Sequence, residues 1–226
     1  EPEVEPEAVE LRDTLRSTGA VRGFTDEQVA DHVVADVLDD ARFAPSGGNQ
    51  QPWRVAVVKS PDIRRHMADL MRPVWNEYVG AQSVGKRAFA FGRSTGDTPI
   101  AAPNALLDQI ESIPVVLAVA ADLTKIAIMD GNAEHRPPVV GGASIYPFCW
   151  SILLAARQHG LGGVLTTFLS RAEQAAAPLL GLPDDHALVA TLFLGVPTHQ
   201  NTKLKRNPVE SFATIDRFDG QPLPRT

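Results

Sequence analysis

Ala44-Pro45-Ser46-Gly47-Gly48-Asn49-Gln50-Gln51-Pro52-Trp53 is the stretch of this 226-residue chain whose residue types and spacing best equip it for chemistry. Pro45 and Pro52 stiffen its ends, Gly47 and Gly48 let backbone approach a ligand closely, and the Asn49, Gln50 and Gln51 amides both donate and accept. Such a loop suits a flat heterocycle with polar edges; a plain helix-to-strand turn draws on the same residue types. The second candidate is the basic cluster Lys203, Lys205 and Arg206, the densest positive run in a chain with 21 Lys and Arg against 27 Asp and Glu and a net charge of -6. As an isolated charge run it reads as a solvated tail, and any basic residues used for binding in so acidic a chain must be local ones such as these.

Other chemistries find little support. The six histidines, His32, His66, His135, His159, His186 and His199, include no H-x-x-x-H pair, so no metal is expected. Ser83-x-x-Lys86 lacks the S-D-N and K-T-G companions of a β-lactamase-like centre and reads as chance. Cys149 is the single cysteine and sits in an apolar helical pattern, so a structural thiol and a reducing, cytoplasmic setting are expected. The negative balance opposes nucleic acid and anionic membrane as main partners. No apolar stretch approaches the roughly 20 residues of a membrane-spanning helix.

These residues need positioning elements. The start, E-P-E-V-E-P-E-A-V-E, is the reverse of a secretion signal; residues 1–10 are expected to form a disordered acidic lead-in and residues 11–226 one domain. Residues 9–15 suit a short helix, and Thr25-Asp-Glu-Gln28 has capping-box spacing, predicting a helix from there to about Phe43 with Val29, Val33, Val37 and Leu38 on one face. A strand over residues 54–58 follows, then a helix from Ser60-Pro61 through Met71. Glycines and prolines between residues 72 and 108 predict broken helices and a mobile loop. The continuous apolar run of residues 114–121 reads as a central strand buried on both faces, and Ile145, Phe148, Ile152, Leu153 and Ala156 trace a core helix closing at Gly160. Strands over residues 163–168 and 188–196 enclose a helix starting at Ser170-x-x-Glu173 and ending at Gly181, and the tail beyond Pro197 is expected to be extended. No regular β-α-β beat and no G-x-G-x-x-G are present, so the class is α+β, with a mixed central sheet flanked by helices.

The loop, read as A-P-S-x-x-N-x-Q-P-W before a strand, resembles the signature of the FMN-dependent nitroreductase family. Three further segments resemble that family in the right order. Val21-Arg22-Gly23-Phe24 is similar to the end of its R-S-V-R-x-F motif, with Gly19 and Ala20 in place of the usual Arg-Ser. Ala143-Ser144 through Gly160-Leu161-Gly162 is similar to its A-S…L-L-A-A…G-L-G helix, with Trp150 at the usual asparagine. Leu194-Gly195-Val196-Pro197 and Lys205-Arg206-Asn207-Pro208 are similar to its L-G-Y-P and R-x-P.

The resemblance implies a nitroreductase-like fold, an intertwined homodimer whose C-terminal extension reaches the partner subunit, and FMN bound across the subunit boundary. It implies cofactor contacts from Arg22 at the N1/O2 edge, from Pro45, Ser46, Gly47, Asn49 and Gln51, from the backbone of Leu165, Thr166 or Thr167 at N5, and from Lys205 and Arg206 at the phosphate. The implied activity is hydride transfer from NADPH or NADH through flavin N5 to nitroaromatic or quinone-like acceptors, by a ping-pong mechanism in which the flavin does the difficult chemistry and no catalytic nucleophile is needed. A flavin store or sensor without efficient NAD(P)H turnover is the alternative, and an enoate, an iodotyrosine or flavin itself are other acceptors. Tyr78, Phe89, Phe91, Met129, His135 and Tyr146, outside the matching segments, are candidate walls of the substrate channel.

Overall fold

In a computed structural model, residues 10–90, 93–94 and 96–224 are described; residues 1–9 of the acidic lead-in expected over residues 1–10, and the channel candidate Phe91, lie outside them. The elements run α1 (Leu11–Ser17), α2 (Asp31–Ala41), β1 (Trp53–Val57), α3 (Pro61–Ser83), α4 (Ala105–Asp108), β2 (Val115–Asp122), α5 (Tyr146–Gln158), β3 (Gly162–Thr166), α6 (Phe168–Arg171), α7 (Glu173–Leu180) and β4 (His186–Gly195).

The four strands form one sheet in the order β1-β2-β4-β3. All eight residues of β2 are buried, as its unbroken apolar run requires. Val115, Leu117, Val119 and Ala121 face α2 and α5 together with Leu192 and Leu194 of β4, where Val37, Phe148, Ile152 and Ala156 complete one core. Val116, Ala118 and Ala120 face the other way, toward Met67 and Met71 of α3 and Ala176 of α7. A bulge opposite Val119 and Ala120 inserts Val189 into β4, so Leu188 turns to the α3 side while Ala190 turns to the α5 side. Full burial of a side chain such as Phe148 or Ile152 contributes about 1.5–3 kcal/mol. Arg64 ties α3 to the approach to β2: its buried guanidinium donates to Val58 O (2.8 Å), Glu111 O (3.0 Å) and Ile113 O (2.6 Å).

Most elements lie where the sequence places them, and the differences have local causes. All three strand pairings are antiparallel, and the parallel component of the expected mixed sheet is confined to the isolated bridge between Ala20 and Gly163. The helix expected at Thr25 starts at Asp31, because residues 24 and 25 instead pair with the chain beyond β4: Phe24 bridges Pro197, and Thr25 N donates to Val196 O at 2.8 Å. Helix α3 continues twelve residues past Met71 to Ser83, through an exposed Pro73. That proline removes one intrahelical donor, yet Met67 and Met71 before it and Gly80 and Ala81 after it are buried and hold both halves in line. The helix expected from the Ser170-x-x-Glu173 box begins at Phe168 and breaks at Ala172. Glu173 does not cap it; its carboxylate accepts the Leu188 amide of β4. The tail is not wholly extended: Val209–Ser211 is a 3-10 turn, and residues 213–223 fold back on themselves through Ile215 N to Gln221 O and Leu223 N to Ala213 O, both 2.9 Å. Gly160 and Gly181 are left-handed, as their capping roles require.

The segment after α3 doubles back along it as a strap. Ile100 N donates to Asn76 O (3.1 Å), Ala102 N to Asn76 Oδ1 (3.4 Å), and the Trp75 indole to Ala102 O (3.0 Å), while Lys86 pairs with Asp97. The strap lies so close that a Cβ on Gly80 would collide with Thr98 O. Gly80→Ala should therefore lift the strap: a stability loss of about 1–3 kcal/mol by denaturant titration, with faster proteolysis in residues 97–104, is expected. Unchanged protection there would show that the strap is not held by this contact.

Candidate active site

Where β3 ends, the helical cover on the α3 side leaves a cleft of ≈ 540 Å³. Leu165, Thr166 and Thr167 form its floor, Trp75, Tyr78 and Phe168 one wall, Pro103 and Asn104 at the end of the strap another, and Arg22 its charged edge. Arg22 is placed by main-chain pairing: Val21 N donates to Gly163 O at 2.9 Å, and with the Thr25 bond to Val196 this fixes the backbone on both sides of it. Asn104 is fixed by its own chemistry, its Oδ1 capping α4 by accepting Leu106 N (3.1 Å) and Leu107 N (3.4 Å). The rings of Trp75, Tyr78 and Phe168 form a mutual cluster with centroids 5.8–5.9 Å apart. Thr166 Oγ1 is buried and has no hydrogen-bond partner among the described residues, an orphan in the floor that a polar ligand edge would satisfy. A planar ring fits such a cleft, with aromatic wall, polar floor and guanidinium edge.

The other expected cofactor residues stand elsewhere in the chain. Residues 45–51 are exposed apart from half-buried Ser46, and none of them lines the cleft. Their loop is nevertheless set in a defined shape. Gly48, Asn49 and Gln51 have φ of +57°, +53° and +47°, the last two costly for residues with a Cβ. Gln51 N donates to Ser46 Oγ (3.0 Å), and Gly47 N donates to Ser144 Oγ (3.0 Å), 97 residues away at the approach to α5. Just past the loop, Trp53 stacks on Phe148 of α5 at 4.6 Å and 2° between planes. The loop is thus tacked to α5 at both ends and presented outward.

The basic tail meets the N-terminal motif from the other side. A Cβ on Gly19 would come within 2.8 Å of Leu204 Cδ2 and 3.0 Å of Asn201 Nδ2, so the space an arginine would need is filled by the tail. Lys203 and Lys205, flanking Leu204, are thereby brought to the segment that leads to Arg22; Lys205 and Arg206 are exposed, and Arg206 donates to Lys205 O.

Of the channel candidates, Tyr78 lines the cleft, and Phe89 lines an adjoining cavity. Tyr146 does not reach either: it lines a separate apolar recess beside Ile145 and Val189, its phenol pKa raised by burial and by Cys149. Met129 (79% exposed) and His135 lie on a surface loop and are absent from the cleft wall. Trp75, Asn104 and Phe168 were not anticipated. Trp75 and Tyr78 share a face at i, i+3, a signal hidden by ending α3 at Met71. Cys149 is fully buried, and burial pushes its thiol up to about 12, in keeping with a packing role. Among the described residues Asp122, Asp185 and His186 come together at metal-ligating distance, but Asp122 is already engaged by Thr124 and Lys125, and Asp185 by His186. No helix among the described residues is long and apolar enough to cross a membrane.

The model of the nitroreductase family matches residues 15–196. Iodotyrosine deiodinase 1 of Homo sapiens is 26% identical over 212 residues, covering 93% of this chain and 70% of that protein. Nitrobenzene nitroreductase of Ectopseudomonas oleovorans is 26% identical over 223 residues, covering 91% of this chain and 96% of the relative. Among solved structures, the NADPH:FMN oxidoreductase from Vibrio harveyi complexed with NAD+ superposes with a TM-score of 0.65 at 19% identity, over 94% of this chain and 79% of that one.

The loop carrying Met129 and His135 folds about Asp130, whose carboxylate accepts Val139 N (2.8 Å) and Val140 N (3.2 Å) and pairs with Arg136. The Val139 amide first, and then Arg136, lower its pKa to about 2. A carboxylate depressed in the folded state stabilises it fully above its unfolded value of about 4, and that contribution is lost as pH falls through the folded value. Asp130→Asn should therefore be less stable than wild type at pH 7, and the gap should close as pH falls toward about 2. Denaturant titrations at pH 7, 4 and 2.5 check this, and a gap that widens on acidification would contradict it.

Proposed function

Because the chain belongs to the nitroreductase family, whose model matches residues 15–196, we propose that it is a flavin-dependent oxidoreductase that binds FMN and passes electrons from NADPH or NADH to nitroaromatic or quinone-like acceptors. The observation that carries this reading is the cleft at the end of β3, with a guanidinium at one edge, an aromatic wall and a buried orphan hydroxyl in its floor. Bound FMN would supply the two-electron relay between nicotinamide donor and acceptor. The chain's residues then have positioning and electrostatic tasks. Arg22 offers fixed positive charge at the cofactor's N1/O2 edge, and the backbone of residues 165–167 offers an N–H donor toward N5. Lys205 and Arg206 receive the phosphate. Pro45, Ser46, Gly47, Asn49 and Gln51 do not line their own chain's cleft, so in this reading they serve the cofactor of a second copy. The working unit is then a homodimer built from a domain over residues 11–226, with the C-terminal extension reaching the partner.

Purified protein given FMN is expected to be yellow and to bleach on anaerobic addition of NADPH, restored by nitrobenzene or a quinone. Initial rates at varied donor and acceptor should give parallel double-reciprocal lines, since both use the same face of one cleft; intersecting lines would defeat the shared site. Sedimentation of the loaded protein should report a dimer. A second reading, a flavin store or sensor, is favoured by one observation: the space for the family's first arginine is filled by Leu204 and Asn201. Tight FMN uptake without bleaching in stopped flow would select it.

A further inference from the structure

A second orphan hydroxyl stands behind the one in the cleft floor. Thr166 of β3 and Thr191 of β4 are directly opposed across the antiparallel pairing, so their side chains lie on the same face of the sheet. Both Oγ1 atoms are buried, and neither has a hydrogen-bond partner among the described residues. Thr166 lines the cleft, whereas Thr191 is fully buried and absent from its wall. The side chains flanking Thr191 on that face of the sheet are apolar: Ala118 opposes it from β2, and Phe193, two residues along β4, opposes Val164. A hydroxyl buried without a partner costs about 1–3 kcal/mol, and a valine would fill the same volume of a strand without that cost. A threonine in this place, opposite the orphan of the cleft floor, therefore points to a task that the fold itself does not require. The Cβ atoms of directly opposed residues stand about 4.5–5.5 Å apart, so a turn about χ1 brings the two hydroxyls into hydrogen-bond contact. Each hydroxyl has a single hydrogen to give. Once Thr191 gives its hydrogen to Thr166 Oγ1, the hydrogen of Thr166 is left for the cleft.

We propose that Thr191 is a positioning residue: it donates to Thr166 and thereby fixes Thr166 as a donor toward the edge of the ring bound in the cleft. A donor held in this sense favours a ring edge that carries negative charge over a neutral one. This deepens the flavin reading and rests on it for the identity of the ring; with FMN, the pair shifts the preference of the site toward the reduced, electron-rich form. Thr191 touches no reacting atom and acts only through Thr166.

The hydroxyl pair is tested without cofactor by a double-mutant cycle, the folding constants of wild type, Thr166→Val, Thr191→Val and the double variant being taken from denaturant titrations. Thr191→Val should be more favourable in the Thr166→Val background than in wild type by about fivefold in the folding constant, because there it removes a hydroxyl left with no acceptor. The donor role is read from the midpoint potential of bound FMN. Thr191→Val should lower that potential by about 30 mV, a tenfold weaker preference for reduced over oxidised flavin. Thr166→Val should lower it at least as far, the double variant no further than Thr166→Val alone, and Thr191→Ser, which keeps the hydroxyl, should stay near wild type. A potential indifferent to Thr191→Val, additive shifts from the two valines, or folding constants that show no coupling overturn the positioning role. Should Thr166→Val fail to fold, Thr191→Val against Thr191→Ser decides by the same potentials. A protein that takes up no flavin overturns the reductase reading, and the cycle on the unloaded protein then decides the hydroxyl pair on its own: coupling upholds it and additivity overturns it.

Discussion

The arrangement rests on β2, a strand with no solvent-facing residue. A strand buried on both faces obliges the chain to provide two separate covers, and the two helix groups meet that demand with different geometry. On the α5 side the cover is a well-fitted pair, α2 and α5, closed by large side chains such as Phe148 and Ile152. On the α3 side the cover is one long helix and three short ones, α4, α6 and α7, and the short helix α6 begins immediately where β3 stops. A gap at the end of β3 follows from that mismatch. Main-chain pairing of residues 21 and 25 with Gly163 and Val196 then delivers Arg22 to its edge.

The core was legible because burial there is written in residue type. The apolar run of β2, the spacing of Ile145, Phe148, Ile152 and Ala156 along α5, and the glycines at 160 and 181 each admit one local solution. Where the reading failed, a long-range contact outweighed a local signal. Thr25 has a helix cap's neighbours, but its amide is claimed by Val196, 171 positions away, and helix formation waits until Asp31. Pro73 looks like a terminator, yet buried residues on either side carry α3 past it. That single extension hid Trp75 and Tyr78 as neighbours on one face, and with them the aromatic wall. Asn104 was equally hidden, because its place depends on its cap of α4 together with the long-range bonds of neighbouring Ala102 to Asn76 and Trp75. Met129 and His135, candidate channel walls by residue type, lie in the single chain on a surface loop that organises itself around Asp130.

The loop of residues 45–51 shows how a segment can be rigid and exposed at once. Two residues with side chains hold left-handed backbone, a conformation that persists only when surroundings over-determine it. Those surroundings are a serine hydroxyl from the approach to α5 and a tryptophan lying flat on a phenylalanine of that helix. Without them the amides of Asn49 and Gln51 would sample many directions, and the entropy of fixing them would fall on whatever they bind. The sequence names the polar groups but not their direction, which α5 sets from nearly a hundred residues away.

Gly19 and the tail fit one another as a single steric unit. Leu204 and Asn201 occupy the volume that any side chain at position 19 would enter, so the three positions are not free to change separately. Among descendants or relatives of this chain, a bulky residue at 19 should be tolerated only alongside a smaller residue at 201 or 204, or a shift of the tail. The two ends of the domain thus form a coupled pair of inherited choices, in which gaining a side chain at one terminus requires giving up volume at the other.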